Sequence, residues 1–378
     1  MFVIFGSFLK ELGGGEFFMD LSFSLTGRYS GGPAKAAILA SALVGTISGS
    51  STANVVTTGT FTIPLMKRTG YNPNFAAAVE AVASTGGQIT PPIMGAAAFI
   101  IAEFTGIPYL QVAKSALGPA FLYFFACFVM VHLVGKRIGL KPQNKDDLPK
   151  FGEVMRHRGY LLIPLITLFG FMIYGYSPMR SVFLGLLILI LLSFIGNDFR
   201  RVINTIPTAL IKAGLNTIPI ACACASAGII MGIINLTGIG ITISRLITHF
   251  AATNLFLGLL FTMIAAIILG CGMPTTAAYI VIAVLTAHAL IDAGIPPLIA
   301  HMFIFYYGCT APITPPVAMS SYAAAAIAEG DPMKVAFESV KLGFVVFIIP
   351  FLLVYFPELM LGKVSQIILS LLTATIGI

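Results

Sequence analysis

Runs of apolar residues long enough to cross a lipid bilayer recur along the whole chain, for example at 116–135, 160–176, 181–196 and 341–356. A helix needs about 20 such residues to span the hydrocarbon core, where every backbone N–H and C=O must find a partner inside the protein. Strands of an outer-membrane barrel would alternate polar and apolar residues, and these runs do not. Only 9% of the 378 residues are charged, against about 25% in soluble domains. The chain is therefore read as an all-α polytopic membrane protein.

Within that constraint one tetrapeptide is out of place. ITPP occurs twice, in "TGGQITPPIMG" with its threonine at Thr90 and in "GCTAPITPPVAM" with its threonine at Thr314. Adjacent prolines interrupt a helix, since neither donates a backbone N–H and each clashes with the preceding turn. The two threonines lie 224 residues apart. The same offset, without gaps, pairs Leu12 with Leu236, Gly14 with Gly238, Ala42 with Ala266, Thr52 with Thr276 and Ala53 with Ala277. It also pairs Gly70 with Gly294, Pro73 with Pro297, Gly106 with Gly330 and Pro108 with Pro332. Glycine and proline matches carry weight because those residues mark turns and breaks. Two equivalent halves follow, roughly 12–118 and 236–342. The predicted organisation is a first repeat over 1–118, connecting transmembrane helices over 119–235, a second repeat over 236–342 and C-terminal helices over 343–378.

The order of features is the same in each repeat. Segment 36–66 is apolar with a polar centre, "GTISGSSTANVV", and segment 252–291 has "LGCGMPTTAAY" in its middle. Arms of about 14–18 residues fall at or below spanning length, which predicts a re-entrant helical hairpin in each half. A Pro-broken transmembrane helix follows, over 73–104 and over 296–328. Basic residues set the orientation. The linker 135–159 carries seven Lys or Arg and is read as cytoplasmic, and "NDFRR" at 197–201 returns to that side. Lys35, Lys67 and Arg68 flank the first hairpin, whereas no Lys or Arg lies between Arg245 and Lys334. The ends of the second hairpin, near His249 and Asp292, are predicted to face the opposite side from Lys35 and Lys67. The repeats are thus read as inverted, as in many secondary transporters. The net charge of +7 comes from such loops, and no nucleic-acid partner is expected.

Non-helical backbone survives at membrane depth only where protein or a water-filled cavity satisfies it. Each hairpin tip and the broken helix of its own half are expected to do so for each other. The first tip offers Ser48, Gly49, Ser50, Ser51, Thr52 and Asn54, and the first break offers Thr85, Gly86, Gly87, Gln88 and Thr90. In the second half, Gly270, Gly272, Met273, Thr275 and Thr276 face Gly308, Thr310 and Thr314. Uncharged oxygens of this kind suit a small cation such as Na⁺, and opened half-helix N-termini suit an anion. Ser, Thr and Gly also allow plain close packing of helices; packing alone gives no reason to break two helices in register. Glu80 lies inside the apolar helix before the first break. An intramembrane carboxylate is a functional candidate, for proton coupling or a cation site, with pairing to polar backbone or an amide as the alternative. Glu103 and Asp292 fall near predicted helix ends. Cys222 and Cys224 have no nearby His or carboxylate and are read as a small-residue packing face, not a metal site. The five histidines show no ligand spacing. No cleavable signal peptide is expected, nor any cofactor or metal beyond Na⁺.

The stretches "GGGEFFMDLSFSLTGRYSGGPAKAAILASALVGTISGSSTANVVTTGTFTIPLMKRTGY", "AAAVEAVASTGGQITPPIMGAAAFIIAE", "GCGMPTTAAYIVIAVLTAHAL" and "FIFYYGCTAPITPPVAMSSYAAAAIA" resemble the large membrane subunit of the tripartite ATP-independent periplasmic (TRAP) transporters. The resemblance is to the fused permeases of the TAXI branch. It implies a bacterial or archaeal inner-membrane symporter that receives a small organic anion, a carboxylate, from a periplasmic TAXI-type substrate-binding protein. It implies an elevator-type transporter driven by Na⁺ or H⁺. Carried onto this sequence, it places the cation at Ser48, Gly49, Ser50, Ser51, Asn54, Thr85, Gly86, Gly272, Met273, Thr275, Thr276, Gly308 and Thr310. Substrate falls to Ser51, Thr52, Gln88, Thr90, Pro91, Pro92, Thr314, Pro315 and Pro316, with Glu80 as the coupling candidate. Fused TAXI permeases carry a long N-terminal region before the stretch that opens here at "FVIFGSFLKELGGGEFF". The chain is accordingly expected to be N-terminally shortened, or to need a small membrane subunit. The competing readings are a binding-protein-independent carboxylate/cation symporter and a non-transporting fragment. An intramembrane enzyme is disfavoured, as the sequence has no DDxxD or GxGD pattern and no paired His on an apolar helix.

Overall fold

The computed structural model describes residues 1–29, 31–91, 93–140, 148–196, 199–362 and 364–377, and among them the regular structure is helical throughout. The first part of the chain forms α1 (Phe2–Glu11), α2 (Gly14–Thr26), α3 (Gly32–Ser48), α4 (Ser51–Arg68), α5 (Pro73–Gln88), α6 (Gly95–Thr105) and α7 (Tyr109–Arg137). A connecting region holds α8 (Phe151–Arg158), α9 (Ile163–Ile173), α10 (Pro178–Gly196) and α11 (Phe199–Thr237). Then follow α12 (Ile239–Thr253), α13 (Leu255–Gly270), α14 (Thr275–Asp292), α15 (Pro297–Thr310), α16 (Met319–Ala328), α17 (Pro332–Leu342) and α18 (Val345–Tyr355). Two C-terminal helices, α19 (Glu358–Leu361) and α20 (Val364–Gly377), complete it.

Among the described residues three stretches, Tyr109–Arg137, Thr275–Asp292 and Pro332–Tyr355, are long and apolar enough to cross a membrane. The run 160–176 is shorter as helix than its composition suggests: a 3-10 turn over Gly159–Leu162 precedes the 11-residue α9, and Gly175 turns the chain with φ +88°.

The elements repeat at the sequence offset. α4 and α14 start 224 residues apart, as do α5 and α15, and α6 and α16. In both halves an antiparallel pair, α3–α4 and α13–α14, meets at a short turn and packs together. Gly49 (φ +63°) ends α3 and Gly272 (φ +78°) lies in the turn after α13. Ser50 caps α4, its Oγ accepting from Ala53 N at 3.4 Å. The Pro-Pro sequences do break their helices: α5 ends at Gln88 and resumes as α6 at Gly95, and α15 passes through a 3-10 turn, Ala311–Ile313, before α16.

The halves interlock more than the sequence suggested. α6 packs on α14 and α15 of the second half, and α16 packs on α4 and α5 of the first. Under the 224-residue offset these are the same contacts made twice. α5 lies at the centre, against α3, α4, α7, α16 and α17, and residues Ala76–Gln88 are all buried. Cys222 and Cys224 are exposed on α11, so these two side chains do not form the expected packing face among the described residues.

Candidate functional site

Both hairpin turns open onto one cavity of about 440 Å³. Ser48, Gly49, Ser50, Ser51 and Thr52 contribute from the first turn, and Met273, Pro274, Thr275 and Thr276 from the second. Gln88, the last residue of α5, lies between them: its Oε1 accepts from Thr275 Oγ1 at 3.0 Å. Across the halves again, Ser320 Oγ of α16 lies 2.7 Å from Ser51 Oγ and 3.0 Å from Thr52 Oγ1. Each tip is therefore completed from both halves, and not by the broken helix of its own half alone. Each tip does meet its own break: a Cβ on Gly49 would stand 2.5 Å from Gly95 Cα and one on Gly270 3.1 Å from Ala311 Cβ, and Asn54 Nδ2 donates to Ser84 Oγ within the first half.

Other predicted site residues serve the helices themselves. Thr90 Oγ1 donates to Gly86 O at 2.7 Å and Thr314 Oγ1 to Thr310 O at 2.8 Å. Gly86 O also accepts from Ile89 N at 3.2 Å, so the Thr90 hydroxyl is a second donor to that carbonyl at the end of the stopped helix. Thr85 and Thr310 donate to Ala81 O and Tyr307 O in the same way. Gly86 and Gly87 are contact glycines: added Cβ atoms would stand 2.3 Å from the Tyr123 ring and 2.5 Å from Gly45 Cα. Gly308 passes close to Tyr279 on α14. Gly272, Pro91, Pro315 and Pro316 shape the turns and do not line the cavity, and Pro92 lies outside the described residues.

Glu80 sits in a separate polar cluster between α3, α4 and α5 and is fully buried. Its Oε1 accepts from Ser41, from Thr58 at 2.5 Å and from Ser84 at 3.2 Å, and its Oε2 from Thr62 at 2.5 Å. No basic group joins them among the described residues. Neighbouring Asn54 donates from Nδ2 to Ser41 O and Ser84 Oγ, both at 3.0 Å, while its buried Oδ1 has no donor among the described residues. Among those residues there is also no His, Cys, Asp and Glu group able to hold a transition metal.

Sequence reasoning missed Ser41, Thr58, Thr62 and Ser84, although Thr58/Thr62 and Glu80/Ser84 carry the i, i+4 spacing of one helix face. It missed Ser320 and also Lys10 and Asn216, which line the cavity from α1 and α11. Nothing local marks those three, because tertiary packing alone brings them in.

Two helical hairpins and two broken helices converging on one cavity within an apolar bundle define a membrane transport protein. The chain belongs to the family described as Tripartite ATP-independent periplasmic transporter, DctM component, which it matches over residues 1–365. It is 24% identical over 328 residues to a C4-dicarboxylate TRAP transporter large permease protein of Pseudomonas aeruginosa, covering 86% of this chain and 76% of that one. It is 22% identical over 320 residues to a 2,3-diketo-L-gulonate TRAP transporter large permease protein of Escherichia coli, with 84% and 74% covered. It is also 24% identical over 332 residues to an isethionate TRAP transporter permease protein of Oleidesulfovibrio alaskensis, with 86% and 51% covered. Proteins of this family are multi-pass inner-membrane permeases, not enzymes, and work with a periplasmic binding protein and a small membrane subunit.

Proposed function

We propose that this chain is the transport subunit of a secondary active symporter, importing a small organic anion from a TAXI-type periplasmic binding protein on a Na⁺ or H⁺ gradient. The observation that carries the reading is the convergence of both hairpin turns and Gln88 on one cavity. Irregular backbone at membrane depth is tolerated where it lines such a space, and transporters place substrate and ion there. Ser51, Thr52, Gln88, Thr275 and Thr276 are assigned to the cavity wall that substrate and cation pass. The two repeats are taken as inverted and the motion as an elevator.

Two observations bear on the coupling ion. Asn54 Oδ1, a buried acceptor without a donor among the described residues, calls for a cation or a water, which supports Na⁺ behind the first tip. Glu80 supports H⁺. Thr58 Oγ1 also lies 2.9 Å from Asn54 O and Thr62 Oγ1 3.0 Å from Thr58 O. These hydroxyls can donate to an ionised Glu80, or turn to their own helix when it carries a proton. The cluster is satisfied in both states.

The test is uptake into proteoliposomes containing the permease with its small subunit, in the presence of the cognate binding protein, with Na⁺ and H⁺ gradients varied independently. Uptake that requires the binding protein and follows one gradient is expected. Uptake indifferent to both gradients overturns symport, and full uptake without the binding protein favours the binding-protein-independent reading.

A further inference from the structure

The hairpin turns offer the cavity only uncharged oxygens and nitrogens. Among the described residues lining it, one side chain carries a full charge: Lys10, in the last turn of α1. Lys10 Nζ donates to Thr57 Oγ1 at 3.0 Å and has no carboxylate partner among those residues. The adjacent acid, Glu11, is engaged elsewhere, 2.7 Å from Lys212 Nζ of α11. Thr57 itself lines the cavity on α4, seven residues beyond Ser50, which is about 10 Å along a helix. The cavity therefore has two polar ends of different character, neutral oxygens at the turns and an ammonium at Lys10. Much of the remaining wall is apolar, including Phe2, Phe99, Ile93 and Val44, with Ser7 and Asn216 as further neutral polar groups.

We propose that Lys10 binds the anionic group of the transported solute, and that the solute is an elongated monocarboxylate with an apolar body. This rests on the cavity being the transport site. An ammonium repels a cation held at the turns, so the carboxylate is most stable at the Lys10 end, where a charge-assisted hydrogen bond replaces its lost hydration. Lys10 balances one carboxylate; a short dicarboxylate anchored there cannot reach the turns, about 10 Å away along α4, where the coupling cation would compensate its second carboxylate.

Amine acylation of the purified wild-type permease, read by mass spectrometry, tests this without a mutation. Hexanoate, succinate and hexanamide are the probes, with exposed Lys334 as the internal control. Hexanoate is expected to slow acylation of Lys10 severalfold and to leave Lys334 unchanged, with hexanamide inactive and succinate weaker. Equal protection by hexanamide, or none by hexanoate, overturns the anion anchor; stronger protection by succinate overturns the monocarboxylate. As a second measurement, Lys10→Gln should weaken hexanoate binding roughly tenfold or more, and Lys10→Arg should retain most of it. Retained affinity in a folded Lys10→Gln protein overturns the proposal. Protection of Lys10 without any gradient-driven uptake would leave the anchor standing and remove the transport reading, so the two fail separately.

Discussion

At the scale of single residues, neighbours in the first hairpin turn have different duties. Gly49 has φ +63°, and a Cβ there would stand 2.5 Å from the backbone of Gly95. Neither side can yield without moving a helix, so Gly49→Ala should lower stability by about 1–3 kcal/mol, read as a fall in thermal midpoint. Ser50, exposed to the cavity beside it, has room. Ser50→Leu, like Thr276→Leu across the cavity, should abolish cation-dependent uptake while leaving the protein folded in the membrane; unchanged uptake in both would remove the turns from the site. Glu80→Gln separates the coupling ions. An amide cannot release a proton, so H⁺-driven uptake should fall to background while Na⁺-driven uptake, if that is the coupling, persists. The turn hydroxyls and Glu80 were legible in the sequence because polar residues in apolar runs are costly and therefore conspicuous. Lys10 was not, because a lysine near a helix end looks like any interfacial lysine until the fold places it in the same cavity wall as the turns.

At the scale of elements, the two Pro-Pro breaks are the same device. The prolines stop α5 and α15, and the threonine before them caps the stopped helix by donating to the carbonyl four residues back, Thr90 to Gly86 and Thr314 to Thr310. Thr90→Val and Thr314→Val should each cost about 0.5–1.5 kcal/mol of stability, seen in thermal unfolding, with little change in solute affinity, since neither lines the cavity. A tenfold loss of affinity with unchanged stability would return these hydroxyls to the substrate site. The breaks could be placed from sequence because proline's lack of an N–H is local chemistry. What the continuing helices do could not. Past its break each chain crosses to the other half, α6 onto α14 and α15, and α16 onto α4 and α5. A periodic apolar pattern says that a helix is buried without saying against which partner. Hence the bonds from each tip to the broken helix of the other half, Thr275 to Gln88 and Ser51 to Ser320, run between halves that the sequence treated as separate sites.

At the scale of the whole molecule, the reciprocal crossing bears on orientation. Lys67, at the end of α4, donates from Nζ to Ala328 O at 2.7 Å and lies 3.9 Å from Glu329, just past the end of α16. The far end of α4 and the far end of α16 therefore share one side of the protein. By the 224-residue offset, the end of α14 near Asp292 and the end of α6 near Thr105 should share a side as well, consistent with α6 packing on α14. If the repeats are inverted, these two sides are opposite faces of the membrane. Lys67 with its basic neighbour Arg68 then lies on the cytoplasmic face, and Asp292, in a stretch free of Lys and Arg, on the other. Single cysteines at 67, 105, 292 and 329 test this, in a background where Cys222, Cys224 and Cys271 are replaced by serine and buried Cys127 and Cys309 are retained. An impermeant maleimide added to right-side-out vesicles should label positions 105 and 292 and spare 67 and 329, with the reverse in inside-out vesicles. Labelling of 67 and 292 from the same side would mean parallel repeats. The cavity would then no longer lie on a pseudo-twofold axis in the membrane plane, and the elevator reading would lose its geometric basis.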